Sequence, residues 1–358
     1  MKKILQLLFC LTGCFCMFSL PAFSETVQLG VPPTFPTTPL PQEDMCAVTR
    51  ATRVSVNPQS QQASKDFYYS HYVGSEGVAM GWTGNHRTCT AGTTTQAYKN
   101  AMLLELNYFR AMAGVPAEVT FYSTYTTNAQ KAALMMSVNE QLSHDPPSSW
   151  TCYTSEGADA AGKSNLRLGY PTLTHNIAGY MKDKGSSNDA AGHRRWILYP
   201  QTQLMGTGDV PSASEYQYAA NALWVMDSNL SGSRPATREE YVAWPPPGYV
   251  PYQVVYPRWS FAYASANFGS AAVIMTKNGS PISATLEAYK TGYGENTLVW
   301  RPLGMSYDAA WPAEHLVTYT VTVSNVLIGG SPRSFTYTVR VFDPAQPVTS
   351  NSYILWTK

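Results

Sequence analysis

The chain has 358 residues, longer than most single domains, and this length predicts two domains. Hydrophobic residues make up 44% of it, which is ample for a packed core, while 13% are charged and the net charge at pH 7 is +1. So sparse and balanced a charge argues against a nucleic-acid partner and against a polybasic membrane patch.

The N-terminus has the pattern of an export signal. Lys2 and Lys3 precede an apolar run over residues 4–20, and residues 22–24 (Ala-Phe-Ser) place small side chains after it. We predict a signal peptide over residues 1–24 and a secreted protein, periplasmic or extracellular. Because a polar, proline-rich segment follows directly, we expect no transmembrane helix in the mature chain.

The cysteines leave one alternative for export. Residues 11–14 resemble a lipoprotein lipobox ending at Cys14, but the apolar run continues beyond it, so ordinary cleavage is favoured over a lipid anchor. Cleavage leaves Cys46, Cys89 and Cys152. Three cysteines in an exported chain permit one disulfide and leave one free thiol.

The first elements after the signal follow from proline content and helical spacing. Residues 25–45 are rich in proline and predict a linker. Residues 46–96 give no clear pattern. Apolar positions at helical spacing predict helices over residues 96–113 and 127–142. His144 would then lie at the C-terminal end of the second helix, where the helix dipole favours a protonated imidazole.

Further helices and then strands follow. The pattern predicts a third helix over residues 174–182 and a short helical turn over residues 189–198. Alternating apolar positions within residues 203–228 predict strands. Helices followed by strands are compatible with a layered α and β domain.

A proline-rich segment at residues 244–251 predicts a second linker, after which the hydrophobic pattern changes to period two. Residues 252–358 predict short strands, and the pairs Asn278-Gly279 and Gly329-Gly330 predict hairpin turns. The predicted strands contain residues 271–275, 285–289, 318–323 and 335–341. Short strands with turn signals predict an immunoglobulin-like β-sandwich.

Four short blocks occur in a fixed order, and they carry a resemblance. They are Asn107-Tyr-Phe-Arg110, Leu142-Ser-His144, Ser164-Asn-Leu166 and Gly192-His-Arg194. Through these blocks the chain resembles, over roughly residues 80–235, the CAP superfamily in a bacterial form. This superfamily comprises cysteine-rich secretory, antigen 5 and pathogenesis-related-1 proteins, and its domain is also called the SCP domain.

The resemblance implies an α+β fold. We expect a CAP-type α/β/α sandwich with an antiparallel sheet over residues 46–243, including an N-terminal extension, followed by the all-β immunoglobulin-like sandwich. Cys89 and Cys152 both lie inside the CAP-like region and are favoured as the disulfide pair, which leaves Cys46 free.

The resemblance also implies a site. CAP sites hold two histidines and two acids around a cavity, and some members bind a divalent metal there. His144 and His193 match the two histidines, whereas Ser164 stands where the first acid is expected. Asp183 or Glu156 could supply a replacement carboxylate.

Asn165, beside Ser164, is expected to line the same ligand-binding cleft and to bridge loop backbone through its amide. Two histidines and one carboxylate can bind zinc, with water completing the coordination. The alternative is that His144 and His193 are structural and each bonds a backbone carbonyl.

Three functions remain open. The first is a secreted protein that binds an extracellular ligand or partner without catalysis. The second is a zinc-dependent, hydrolase-like enzyme that uses the two-histidine cleft, and the third is a sterol- or lipid-binding protein. The sequence has no nucleophile elbow, His-Glu-x-x-His motif, Walker loop or dinucleotide fingerprint. Trp259, Trp300 and Trp311 could stack on a carbohydrate, although such residues more often fill a core.

Overall fold

The structure is a computed structural model, and it describes residues 26–38, 40, 42–43, 51–170, 176–213 and 218–348. The predicted signal peptide lies outside the described residues, as do Cys14 and Cys46. Within the described part of the chain, no helix is both long enough and apolar enough to span a bilayer.

The first half of the chain contains the helices and one sheet. The helices are α1 (Gln61–Phe67), α2 (Gln96–Ala113), α3 (Ser123–Asn139), α4 (Ser155–Gly162), α5 (Asn176–Lys182) and α6 (Gly192–Ile197). The strands are β1 (Thr26–Leu29), β2 (Thr120–Phe121), β3 (Ser164–Tyr170), β4 (Leu204–Val210) and β5 (Ala219–Trp224).

Helix α2 has the predicted bounds because local signals fix both of its ends. The hydroxyl of Thr95 accepts a hydrogen bond from the Tyr98 amide at the start, and Gly114 ends the helix with a φ of 79°. The first of the four blocks that resemble the family, Asn107-Tyr-Phe-Arg110, lies on this helix. Arg110, fully buried, donates to the carbonyls of Ile197 and Tyr199, which ties α2 to the end of α6.

Helix α3 ends three residues before its predicted end. Glu140 adopts the left-handed conformation with a φ of 53°, and its amide bonds back to the last turn, which terminates the helix at Asn139. His144 therefore lies in the following loop, and the prediction that a helix dipole favours its protonation is wrong.

The sheet has the strand order β1-β3-β5-β4-β2 and is antiparallel except for the β2–β4 pair. Helices α3 and α4 cover one face, where Leu166, Leu168 and Ala222 belong to their core cluster. Helices α2, α5 and α6 cover the other face, where Met205 and Leu223 are buried. The result is the expected α/β/α arrangement, which confirms the α+β fold class.

Close packing of α3 on the sheet depends on glycine. A Cβ added at Gly208 would lie 2.1 Å from the backbone of Ala129, so a side chain at this position would push the helix off the strand. The absent side chain thus sets the distance between the two layers.

The second half of the chain forms two sheets. One has the order β10-β9-β13-β14-β7 and the other the order β11-β12-β8-β6. The strands are β6 (Val242–Trp244), β7 (Gly248–Pro251), β8 (Trp259–Ala262), β9 (Ala272–Lys277), β10 (Ser280–Ile282), β11 (Ala284–Leu286), β12 (Thr297–Pro302), β13 (Leu316–Ile328) and β14 (Ser331–Phe342).

The two sheets face each other across aromatic side chains. The Trp259 and Tyr319 ring centroids lie 5.4 Å apart, and those of Phe261 and Phe335 lie 5.2 Å apart. Both predicted hairpin turns are present, between β9 and β10 and between β13 and β14. The immunoglobulin-like classification of this region stays a prediction.

Each range predicted as a linker contains one edge strand. Within residues 25–45, Thr26–Leu29 pairs with β3 at the edge of the first sheet. Within residues 244–251, Gly248–Pro251 pairs with β14 at the edge of another sheet. Proline removes an amide donor, which β7 tolerates at Pro251 because an edge strand has one side that needs no donor, while β1 itself contains no proline. Trp244 is fully buried at the supposed boundary, and its indole donates to the Val254 carbonyl.

Candidate functional site

His193 lies on α6 and is completely buried. Its Nδ1 is 2.7 Å from Asp183 Oδ1, and its ring stacks on Tyr180 with the centroids 5.6 Å apart. Asn165 on β3 donates from its side-chain nitrogen to the His193 carbonyl. The histidine is therefore held from three sides, by the chain after α5, by α5 itself and by the sheet.

Asp183 directly follows α5 and is equally buried. Its second oxygen, Oδ2, accepts the Arg194 amide at 3.2 Å, and its own backbone has a φ of 54°. Asp183 thus holds the Nδ1 edge of the His193 ring, and Nε2 lies on the opposite edge. That Nε2 is buried and has no hydrogen-bond partner among the described residues.

His144 has both ring nitrogens engaged by the backbone. Nδ1 lies 2.6 Å from the Ala161 carbonyl oxygen, and Nε2 lies 2.5 Å from the Val31 carbonyl oxygen. Burial lowers the pKa of His144, the two carbonyls oppose this shift, and the charge of His193 adds to it. His144 thus makes the backbone contacts expected of a structural histidine, within electrostatic range of His193.

Glu156 does not belong to this group, contrary to the prediction. It lies in the first turn of α4 with an exposed side chain, and its Oε2 is 3.6 Å from Lys131 Nζ on α3. The helix directs it to the neighbouring helix and to solvent. Ser164 directly precedes Asn165 on β3, so its side chain faces the other side of the sheet, and its buried hydroxyl has no partner among the described residues.

The predicted zinc site is not supported by these side chains. Across the described residues, no group of three or more His, Cys, Asp or Glu side chains could hold a metal ion. Zinc ligation needs a free nitrogen lone pair, whereas both nitrogens of His144 face carbonyl oxygens and both oxygens of Asp183 accept hydrogen bonds.

A segment predicted as a linker lies across the site. We call residues 26–35 the N-terminal segment. Beyond its pairing with β3, its Pro33 carbonyl accepts the indole N–H of Trp196 at 2.5 Å, and the Phe35 ring meets Trp196 edge-on at 4.8 Å. The alternation of polar and apolar residues in Thr26-Val-Gln-Leu29 is the sequence signal that could have indicated an edge strand.

A second buried polar cluster was not predicted. Asp209 accepts hydrogen bonds from Tyr98, Asn176 and Asn221, and burial raises its pKa to about 6. Glu105 on α2 accepts the Ala178 amide, and burial raises its pKa to about 7.

This cluster continues towards His193 through one residue. The Tyr180 hydroxyl donates to Asn221 Oδ1 at 2.7 Å, while the Tyr180 ring stacks on His193. Nothing in the residue pattern indicates the cluster, because its members are far apart along the chain.

Three buried arginines join the site to the second half of the chain. Arg194 donates to the Arg258 carbonyl at 2.8 Å, and Arg258 donates to the carbonyls of Asp183 and Gly185 at 2.5 and 2.9 Å. Arg195 donates to the Glu295 and Lys290 carbonyls. These arginines hold loops mainly through backbone oxygens, and Arg258 also pairs with Glu287, its Nε lying 3.4 Å from Oε1.

The tryptophans considered for carbohydrate binding lie in the core. Trp259 and Trp300 are fully buried and Trp311 is 7% exposed. Trp259 packs against Trp311 with the ring centroids 5.6 Å apart. None of the three presents a face on which a sugar could stack.

Comparison with known proteins adds one match. The model of the cysteine-rich secretory protein family, CAP, matches residues 103–227. The matched range contains His144, Ser164, Asp183 and His193, and it excludes the N-terminal segment. No curated protein matches the chain.

Proposed function

Because the chain carries a CAP-family domain over residues 103–227, we propose that it is an exported binding protein without catalysis of its own. The observation that carries this proposal is the state of His144, whose two nitrogens both face backbone carbonyls. A general base or a metal ligand needs a nitrogen that can reach substrate or metal. Binding does not require this.

Metal content tests this proposal against the zinc-dependent alternative. Purified full-length protein should hold well under one zinc per chain after equilibration with micromolar zinc and gel filtration, and a His144→Ala/His193→Ala double variant should hold the same amount. Stoichiometric zinc that is lost in the double variant would instead favour the zinc-dependent enzyme.

Export is supported by the disulfide between Cys89 and Cys152, since such bonds persist in oxidising compartments. This pair was predicted from the resemblance, and the structure confirms it. N-terminal sequencing of the protein recovered from outside the cytoplasm should begin at Glu25. An acylated Cys14 would instead make it a lipoprotein.

A further inference from the structure

We propose that the groove along β3, His144 and Trp196 binds an extended, proline-containing polypeptide segment, and that the N-terminal segment is its intramolecular occupant. This inference rests on the proposed binding function. It begins from the position of β1, which pairs with β3 on one side and forms the edge of the sheet.

The first contact is strand addition. Thr26–Leu29 runs antiparallel to β3, and the Gly30 amide continues the ladder to the Leu166 carbonyl at 3.1 Å. A sheet edge offers unpaired amides and carbonyls to any extended chain, and peptide-binding domains use such edges for recognition. Without the N-terminal segment, β3 would become that edge.

The second contact is made by side chains to backbone carbonyl oxygens of the segment. His144 Nε2 and Trp196 Nε1 each lie 2.5 Å from a carbonyl oxygen, those of Val31 and Pro33. The two carbonyls are two residues apart. Both side chains therefore recognise the main chain of the segment, and this recognition does not depend on which side chains the segment carries.

The third contact is shape. A Cβ added at Gly192 would lie 2.3 Å from Pro32 Cγ, although the backbone of Gly192 does not have a positive φ. Glycine is needed here to admit the proline ring. Pro32 and Pro33 are buried, whereas Val31 is 57% exposed. Consecutive prolines favour extended backbone, which lowers the entropy lost when the segment enters the groove.

The segment is held without charge. Residues 26–35 contain no ionisable side chain, so backbone hydrogen bonds, the prolines and the Phe35 ring supply the attraction. A covalent tether gives such an occupant an effective concentration of about millimolar, which shuts out dilute competitors. Cleavage of the tether would remove this advantage. Thr34, Thr37 and Thr38 are exposed, so a protease can reach this region.

The test uses the full chain with a specific protease site inserted between Thr37 and Thr38. After cleavage, a fluorescent synthetic peptide of residues 25–37 is added and its anisotropy is measured. The cut protein should bind the peptide saturably and release its own fragment, detected by mass spectrometry. The uncut protein should bind on the order of a hundredfold more weakly, because its tethered segment competes.

Variants of the same cut protein identify the contacts. His144→Phe removes one hydrogen bond to a carbonyl and should weaken peptide binding about fivefold to tenfold. Gly192→Ala should weaken it at least as much, because its Cβ occupies the position of Pro32. Glu156→Ala, on the exposed face of α4, is the matched control and should leave binding unchanged.

Three outcomes would overturn the inference. The fragment could stay bound without exchange, the cut protein could lose its circular dichroism signal once the fragment is washed away, or a peptide of the same composition with its two consecutive prolines moved elsewhere could bind equally well. The first two would make the segment an integral strand of the sheet. None of them would alter the zinc and N-terminal sequencing results, which are obtained on uncut protein and test the proposed function separately.

Discussion

At the scale of single residues, the site is held by hydrogen bonds that cannot be exchanged for water. Asp183 and His193 are both fully buried, and the carboxylate accepts from the imidazole and from the Arg194 amide. Burying a donor without its acceptor costs more free energy than one hydrogen bond contributes. The pair therefore has a stabilising role whatever the groove binds.

The first prediction concerns this carboxylate. Asp183→Ala should lower the free energy of unfolding by about 2–4 kcal/mol, because it leaves two buried donors unsatisfied. Glu156→Ala, which changes the other acid considered for the site, should change it by less than about 0.5 kcal/mol. Urea denaturation of both variants measures the difference. Equal effects would contradict the burial of Asp183.

The second prediction concerns Glu105, whose pKa is raised to about 7 by burial. The folded state holds the carboxyl proton of Glu105 more tightly than the unfolded state does. The stability that this proton contributes is therefore fully present below about pH 4.5 and is lost as the pH rises through about 7. Glu105→Gln cannot ionise and should be less affected by rising pH.

Relative to the wild type, Glu105→Gln should gain roughly 3 kcal/mol between pH 4.5 and pH 8, at about 1.4 kcal/mol per unit of pKa. Urea denaturation at both pH values measures this gain. A stability difference that is the same at both pH values would show that Glu105 titrates normally.

At the scale of elements, the sequence predicted the helix ends that are fixed by residues within one turn of them. Both ends of α2 follow from Thr95 and Gly114, which act within one turn of the helix. The end of α3 was missed because the left-handed conformation of Glu140 has no sequence signature. Strand β1 was not predicted because the prolines that follow it led us to assign the whole segment as a linker, despite the alternation of polar and apolar residues over four positions. Its partner β3 also lies more than a hundred residues away along the chain.

The third prediction belongs to the loop before α2. The Cys89–Cys152 bond fastens this loop to the chain between α3 and α4, across 63 positions of sequence. Cross-linking so distant a pair restricts the unfolded chain, and the Cys89→Ser/Cys152→Ser variant should lose about 2–4 kcal/mol of unfolding free energy. Thermal denaturation with and without reductant measures it, since reductant should affect the wild type and spare the variant.

At the scale of the whole molecule, the two halves share one core. Phe109 of α2 packs edge-on against Trp244 of β6, and the three arginines bond across the same junction. The blocks that resemble the CAP family located His144 and His193, but no pattern in the sequence indicated that loops from the second half would contact the site. Contacts of this kind join residues far apart in sequence, so they produce no periodic pattern in the sequence from which they could be predicted.

The fourth prediction follows from this shared core. Calorimetry should show one cooperative unfolding transition, and limited proteolysis should yield no stable fragment that begins near residue 245. Arg258→Ala should lower the melting temperature, because the carbonyls of Asp183 and Gly185 lose their donor. Arg333→Ala removes an exposed ion pair to Glu240 and should have little effect. Two separate unfolding transitions would instead support the predicted linker at residues 244–251.

The arginines at this junction also bear on how such a chain can evolve. Protein families commonly gain new functions by exchanging whole domains, which requires that each domain end at a surface indifferent to its neighbour. Here Arg194, Arg195 and Arg258 find their acceptors across the junction. A first half joined to a different second half would leave Arg195 and Nη1 of Arg194 without these acceptors. Recombination at this boundary is therefore penalised, and the two halves are constrained to be inherited together.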